Sequence, residues 1–295
     1  MERRKAAVFL LMGQSNAVGF ATRMEERDRI VTPLKNVFGL RREHNLSLDV
    51  RRLTWTGYTS AGTILGEEND HTWSVSNCLA KLWQARIDEG ADLPDLYDVN
   101  ISVGAEGVTP GNMWYPRREP VLVPGPLGTV NISLCPFAAR ILSLIREGFR
   151  EAGTDWEIVG LHWRGGEEDL LADRDLLRTR LKNIYLELFR TFSESLGRVP
   201  PVVLHRIVAR ERCTDLDPSG QRLENLEFIN SVFEELAAGD GNFSVFDVRN
   251  APYFRPDVPG NGLFLEDKVH FTPEVNRWVA KTILDRYEAS ARRTV

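Results

Sequence analysis

The chain has 295 residues, 42% of them hydrophobic and 27% charged, which is enough to bury a sizeable core and predicts one domain over residues 1–295. Its formal net charge of −5 offers no broad positive field, so nucleic acid is not expected as a partner. The cysteines are odd in number and far apart, which favours reduced thiols over a disulfide framework or a zinc site.

The first apolar run, residues 6–12, follows basic residues, as the apolar part of a signal peptide would. It is short, however, and it continues without a small-residue cleavage site. We therefore interpret it as a core strand and expect a soluble, cytoplasmic protein, with export as the open alternative. Nothing later approaches the ~20 uninterrupted apolar residues of a spanning helix, so no membrane association is expected.

Short apolar runs then alternate with segments of helical period. The strand candidates are residues 6–12, 97–103, 157–163, 202–208 and 243–248. Apolar residues recur at helical spacing within residues 75–83, 141–149, 177–188 and 226–233, and a last helix is expected from Pro273, with Thr272 as its N-cap. This alternation predicts a three-layer α/β/α sandwich around a mainly parallel sheet of about five strands.

Two stretches do not fit this rhythm and are predicted as loops, residues 22–71 and 104–136. Ligands of open α/β sheets bind outside the carboxyl ends of the strands. The second loop directly follows a strand, so we expect it to take part in function.

A serine stands at the end of the first strand, within Gly13-Gln14-Ser15-Asn16. The free backbone amides of a strand-to-helix turn can stabilise an oxyanion, which makes Ser15 a candidate nucleophile. The alternative is a polar turn in which Ser15 only caps a helix. The block is not the G-x-S-x-G nucleophile elbow, because residue 17 is alanine.

A carboxylate and an imidazole, Asp267 and His270, precede the last predicted helix. On a bent loop, Asp267 can accept the Nδ1 proton of His270 and leave Nε2 facing a serine hydroxyl, as in a catalytic triad. Alone, this spacing is also typical of a surface or capping histidine.

Two further blocks follow strand candidates. The first comprises Trp163, Arg164, Gly165, Gly166, Glu167, Glu168 and Asp169. It is a candidate part of the site, and the alternative is a glycine turn before an acidic helix start. Gly107 opens the second loop and could present a backbone amide, or it could only form a turn.

Together these blocks resemble the SGNH hydrolase superfamily and, within it, the sialate O-acetylesterase and acetylxylan esterase group, carbohydrate esterase family 6. The G-Q-S-N block and a later glycine match Gly13 to Asn16 and Gly19, and the closing D-x-x-H matches Asp267 and His270. The middle block W-x-Q-G-E-x-D matches Trp163, Gly166, Glu167 and Asp169. A looser block, glycine and threonine followed by tryptophan, is similar to Gly107, Thr109 and Trp114. The resemblance spans nearly the whole chain in the family's order and implies the flavodoxin-like SGNH hydrolase fold.

The resemblance implies a carbohydrate O-acetylesterase that needs no metal and no organic cofactor. Ser15 would be the nucleophile, His270 the base and Asp267 its orienting partner, with the amides of Ser15 and Gly107 binding the oxyanion. Gln14, Asn16, Glu167 and Asp169 would support the site or bind substrate, and Trp114 and Tyr115 suit stacking on a sugar face.

One position departs from the family, since Gly165 replaces the glutamine of the middle block. A backbone amide of Gly165 or Gly166, or the guanidinium of Arg164, could supply the missing oxyanion donor. Two other functions stay open. One is an SGNH esterase, thioesterase or lipase acting on a non-carbohydrate acyl group, and the other is a catalytically impaired carbohydrate-binding protein.

Overall fold

The computed structural model describes residues 5–41, 50–60, 72–119, 122–125, 128–131 and 133–291. The described strands are, in chain order, β1 Ala6–Gly13, β2 Val37–Leu40, β3 Trp55–Gly57, β4 Asp95–Ser102, β5 Leu122–Gly125, β6 Gly128–Asn131, β7 Trp156–Arg164, β8 Val202–His205 and β9 Phe243–Phe246. Seven of them form one sheet in the order β3-β2-β4-β1-β7-β8-β9, whereas β5 and β6 pair as a separate hairpin. Only the edge pair β2–β3 of the seven-stranded sheet is antiparallel.

All five strand candidates are confirmed, but the sheet is wider than the predicted five strands. The additional strands, β2 and β3, lie within the stretch predicted as a loop. Each is only three or four residues long and contains a glycine, so neither produces a recognisable apolar run. The hairpin β5–β6 lies in the second stretch predicted as a loop, because its strands are also only four residues long.

The described helices are α1 Ser15–Val18, α2 Val75–Asp88, α3 Leu134–Ala152, α4 Arg174–Leu196, α5 Arg210–Leu216, α6 Gln221–Gly239 and α7 Pro273–Ala291. The last one begins at Pro273, as predicted. The carbonyl of Thr272 accepts from the first turn, but its buried hydroxyl has no partner among the described residues and forms no cap. Within the described part of the chain, no helix has the length and apolar character needed to cross a bilayer.

Strand β1 lies at the centre of the sheet and is buried on both faces. Successive side chains of a strand point to opposite faces. Val8, Leu10 and Met12 therefore pack on one side, with α3, α4 and α6. Ala7, Phe9 and Leu11 pack on the other, with α2 and α7. These two cores make the predicted three-layer sandwich and explain why β1 reads as an unbroken apolar run.

The carboxyl ends of β1, β4 and β7 meet at one edge of the sheet. Gly13 pairs in register with Ser102 of β4 and with Arg164 of β7. Parallel pairing of three neighbouring strands thus brings together the segments that follow residues 13, 102 and 164, which are far apart in sequence.

Candidate active site

One cavity of about 480 Å³ opens at this edge, and both Ser15 and His270 line it. The predicted nucleophile and base come from opposite ends of the chain. The first follows β1 and the second lies in the loop before α7. The structure therefore brings together the two blocks whose chemistry depends on proximity.

The end of β1 determines the position of Ser15. Gly13 has φ +139°, and a Cβ at this position would lie 2.1 Å from the backbone oxygen of Arg164, so only glycine allows the close approach to β7. The amide of Gln14 then donates to that oxygen at 3.0 Å. Ser15 opens the single turn of α1, where first-turn amides have no partner within the helix.

Asp267 holds His270 and its neighbour Val269 through three hydrogen bonds. Asp267 Oδ2 lies 2.6 Å from Nδ1 of His270, and Oδ1 accepts from the amides of Val269 and His270, each at 2.9 Å. Burial opposes ionisation of Asp267, but these hydrogen bonds outweigh it and lower its pKa. An ionised Asp267 that accepts the Nδ1 proton leaves Nε2 free to act as an acceptor.

Asn16 connects this loop to the middle block. Its Nδ2 donates to Glu167 Oε1 at 2.8 Å and to the carbonyl of Val269 at 3.1 Å, and its Oδ1 accepts from the amide of Phe271 at 3.3 Å. The side chain is only 4% exposed. Asn16 thus holds the residues on both sides of His270, a more specific position than the supporting role that the sequence predicts.

Gln14 lines the cavity, and its buried side chain faces the middle block. Its Oε1 accepts from the amide of Glu168 at 3.3 Å and, at the longer distance of 3.5 Å, from that of Gly166. The amide of Gly166, a predicted oxyanion donor, is therefore directed at Gln14.

Asp169 connects the second predicted loop, residues 104–136, to the edge of the sheet through hydrogen bonds. This fully buried carboxylate accepts from the amides of Val108 and Thr109 and from the Thr109 hydroxyl, at 2.8 to 3.1 Å. Burial raises the pKa of Asp169 to about 6 although these hydrogen bonds favour its ionised form. A Cβ on Gly107 would lie 2.3 Å from Oδ1 of Asp169, so this glycine makes room for the carboxylate.

The structure does not bring Gly107 to the cavity, since it is buried against Asp169. Gly104 and Ala105 line the cavity instead, and a Cβ on Gly104 would be 3.9 Å from that of Ser15. Ala105 has φ +57°, an uncommon conformation for a residue with a side chain and one that is often found at functional sites. The sequence signal for this turn was the glycine that follows β4, two positions from the strand end.

The two aromatic residues predicted to stack on a sugar face lie outside the cavity lining. Trp114 is fully buried, donates from Nε1 to the carbonyl of Gly13 at 3.0 Å and packs edge-on against Trp163. It cannot stack on a sugar face, because its large apolar surface is used inside the core. Tyr115 packs against the same core.

Arg164 and Gly165 are also buried away from the cavity lining. Arg164 is 2% exposed, donates to Asn276 Oδ1 at 3.0 Å and stacks over the ring of Phe271, and burial lowers its pKa to about 10. Gly165 lies against the indole of Trp163. Neither residue is part of the cavity lining.

The far wall of the cavity was not anticipated from sequence. Leu170 and Leu171 follow the middle block, and α5 with the start of α6 contributes Leu216, Arg212 and Arg222. No local pattern marks these residues, because only the packing of α5 and α6 beside the sheet edge places them there. Among the described residues, no group of three or more side chains is arranged to hold a metal ion.

The sheet order and the two helical layers make the three-layer α/β/α fold that the sequence predicts, with the cavity at the carboxyl edge of the sheet. The solved structure of NanS has this fold, with a TM-score of 0.61 and 15% sequence identity, over 98% of this chain and 99% of that one. A protein from Arabidopsis thaliana is similar too, with a TM-score of 0.51 and 17% identity, over 96% of this chain and 98% of that one. The sequence matches no family model and no curated protein.

Proposed function

We propose that the chain is a single-domain serine esterase that removes acetyl groups from carbohydrate. The observation that carries this proposal is that Ser15 and His270 line one cavity, with Oδ2 of Asp267 2.6 Å from Nδ1 of His270. A nucleophile, a base and an orienting carboxylate are the parts that acyl transfer needs.

In this mechanism, Ser15 Oγ attacks the ester carbonyl while Nε2 of His270 takes its proton. The amide of Ser15 binds the developing oxyanion, and the turn at Gly104 supplies a second donor in place of Gly107. Collapse of the tetrahedral intermediate breaks the bond to the sugar oxygen, which receives the proton from His270. Water then attacks the acetyl-enzyme by the same route and releases acetate.

Carbohydrate as the alcohol part is supported by the motif resemblance and by the cavity itself. About 480 Å³ is far more than an acetyl group occupies, and the lining contains charged side chains as well as apolar ones. The wall of Leu170, Leu171 and Leu216 supports the second candidate, an esterase for longer acyl chains. Rates on p-nitrophenyl esters of increasing chain length separate the two, since an acetylesterase prefers acetate.

Replacement of the nucleophile tests the proposal. Ser15→Ala should abolish hydrolysis of p-nitrophenyl acetate and labelling by a fluorophosphonate, with little change in thermal midpoint, because Ser15 belongs to a turn rather than to the core. Ser195→Ala, at a half-buried position of α4 outside the cavity lining, is the control and should keep both activities. Turnover by Ser15→Ala near that of the wild type would exclude this mechanism.

Replacement of the base gives a second readout. His270→Ala should lose most of the rate, together with the rise of activity with pH that a neutral imidazole base requires. A variant with the pH profile of the wild type would show that another group takes the proton.

A further inference from the structure

Phe20 places an exposed aromatic ring at the cavity. It lines the cavity together with Ser15 and His270, and it is 47% exposed. Every other phenylalanine of the chain is buried or half-buried. An aromatic ring that is open to water beside a candidate nucleophile and base is a surface that a bound molecule can cover.

The backbone before Phe20 is held close to the nucleophile. Gly19 has φ +81°, and a Cβ there would lie 2.3 Å from the backbone oxygen of Trp73, so a side chain at this position would clash. The amide of Phe20 donates to the carbonyl of Ser15 at 2.9 Å. Phe20 therefore has a fixed position relative to the turn that carries Ser15.

The backbone after Phe20 is held close to the base. Ala21 has φ +60°, a conformation that costs energy for a residue with a side chain and is often found at functional sites. The buried hydroxyl of Thr22 donates to the carbonyl of Phe271, the residue after His270, at 2.8 Å. The exposed ring thus belongs to a segment that is anchored at both ends.

The ring of Phe20 lies next to the imidazole of His270. The two ring centroids are 5.1 Å apart, and the ring planes are tilted by 55°. In ester hydrolysis, Nε2 of His270 gives its proton to the leaving oxygen, so these two atoms approach to about 3 Å. The alcohol bonded to that oxygen therefore lies beside the imidazole, within reach of Phe20.

A pyranose ring carries C–H groups on its faces, and such an apolar face packs well against an aromatic ring. The two residues that the sequence suggests for this contact, Trp114 and Tyr115, do not line the cavity. We propose that Phe20 packs against the sugar ring that leaves with the ester oxygen and thereby selects ring-shaped alcohols. This inference rests on the proposed function and identifies the residue that recognises the leaving group.

The test compares two acetate esters that differ in the leaving alcohol, an acetylated methyl pyranoside and methyl acetate. Phe20→Ala should raise KM for the pyranoside about 10-fold or more, as expected for the loss of an aromatic stacking contact, with kcat changed by about twofold at most. For methyl acetate, kcat/KM should fall by about twofold at most, because a methyl group offers little apolar surface to the ring. Phe20→Tyr keeps the ring and should keep the low KM for the pyranoside.

Val258→Ala is the matched control. Val258 is similarly exposed, at 44%, and lies outside the cavity lining, so this variant should retain the KM of the wild type for both esters. An equal loss on both esters in Phe20→Ala would overturn the proposal, because the ring would then only support His270. A loss that grows from methyl acetate to methyl butyrate would also overturn it, since Phe20 would then contact the acyl group.

Failure of the proposed function gives a different result. In that case the wild type hydrolyses neither ester, and calorimetric titration with the same acetylated pyranoside measures the contact without turnover. An affinity that falls about 10-fold in Phe20→Ala and is retained in Phe20→Tyr would support the stacking role of Phe20. No binding to the wild type, or equal affinities of the wild type and Phe20→Ala, would refute it.

Discussion

Asn16 offers a direct test of how the loop that carries His270 is held. Asn16→Ala removes three hydrogen bonds and leaves the amide of Phe271 and the carbonyl of Val269 without their side-chain partner. A buried polar group left unpaired costs about 1–3 kcal/mol, so the free energy of unfolding should fall by roughly 2–4 kcal/mol. For a chain of this size that lowers the thermal midpoint by roughly 3–7 °C.

The fall in turnover of Asn16→Ala should be larger than its loss of stability alone explains. Displacing a catalytic group by about 1 Å can cost about 100-fold in rate, so kcat of Asn16→Ala on p-nitrophenyl acetate should fall by roughly that factor. Asn230→Ala is the matched control. Asn230 is also 4% exposed and holds both backbone groups of Ile207 at 2.9 Å, away from His270. It should lose similar stability and retain most of its turnover.

Asn16→Asp adds a pH readout. The new carboxylate can still accept from the amide of Phe271, but when ionised it cannot donate to Val269 and it faces Glu167. This like charge raises the pKa of the new carboxyl in the folded state, so the variant's stability deficit should shrink as the pH falls and the group becomes protonated. Kinetics and thermal melts at several pH values measure both effects. If Asn16→Ala loses stability but keeps its turnover within about twofold of Asn230→Ala, the residue does not position the base.

Three further predictions follow from buried groups. Gly107→Ala should lower the free energy of unfolding by about 2–4 kcal/mol in urea titrations, because its Cβ displaces the carboxylate of Asp169, and an unchanged midpoint would contradict the 2.3 Å approach. Burial lowers the pKa of His162 to about 3 and that of its hydrogen-bonded neighbour His205 well below its usual value, so these groups take up protons only on unfolding. Stability should therefore be complete above pH ~6.5 and fall on acidification, by about 2 kcal/mol per histidine at pH ~5, whereas a profile that rises on acidification would refute this. Gly165→Gln should lower the thermal midpoint without raising turnover, since its Cβ would lie 3.2 Å from a buried indole, and faster turnover would mean that the lost glutamine was a needed donor.

The sequence determined the elements whose signals are local. The unbroken apolar run of β1 reflects burial on both faces, and the helical period of α3 and α4 reflects one buried stripe each, so both were visible along the chain. The order of the motifs also predicted that Ser15 and His270 meet, because parallel strands end at one edge.

Only the tertiary structure decided which side chains reach the cavity. Gly107 and Trp114 stood at motif positions, yet one makes room for Asp169 and the other fills the core, while Gly104 lines the site. Arg212 and Arg222 carry no pattern that separates them from other surface cations. Their position depends on how α5 and α6 pack beside the edge of the sheet. Such contacts join residues that are far apart in the sequence, and they are selected by packing and hydrogen bonding in three dimensions, which periodicity along one chain does not encode.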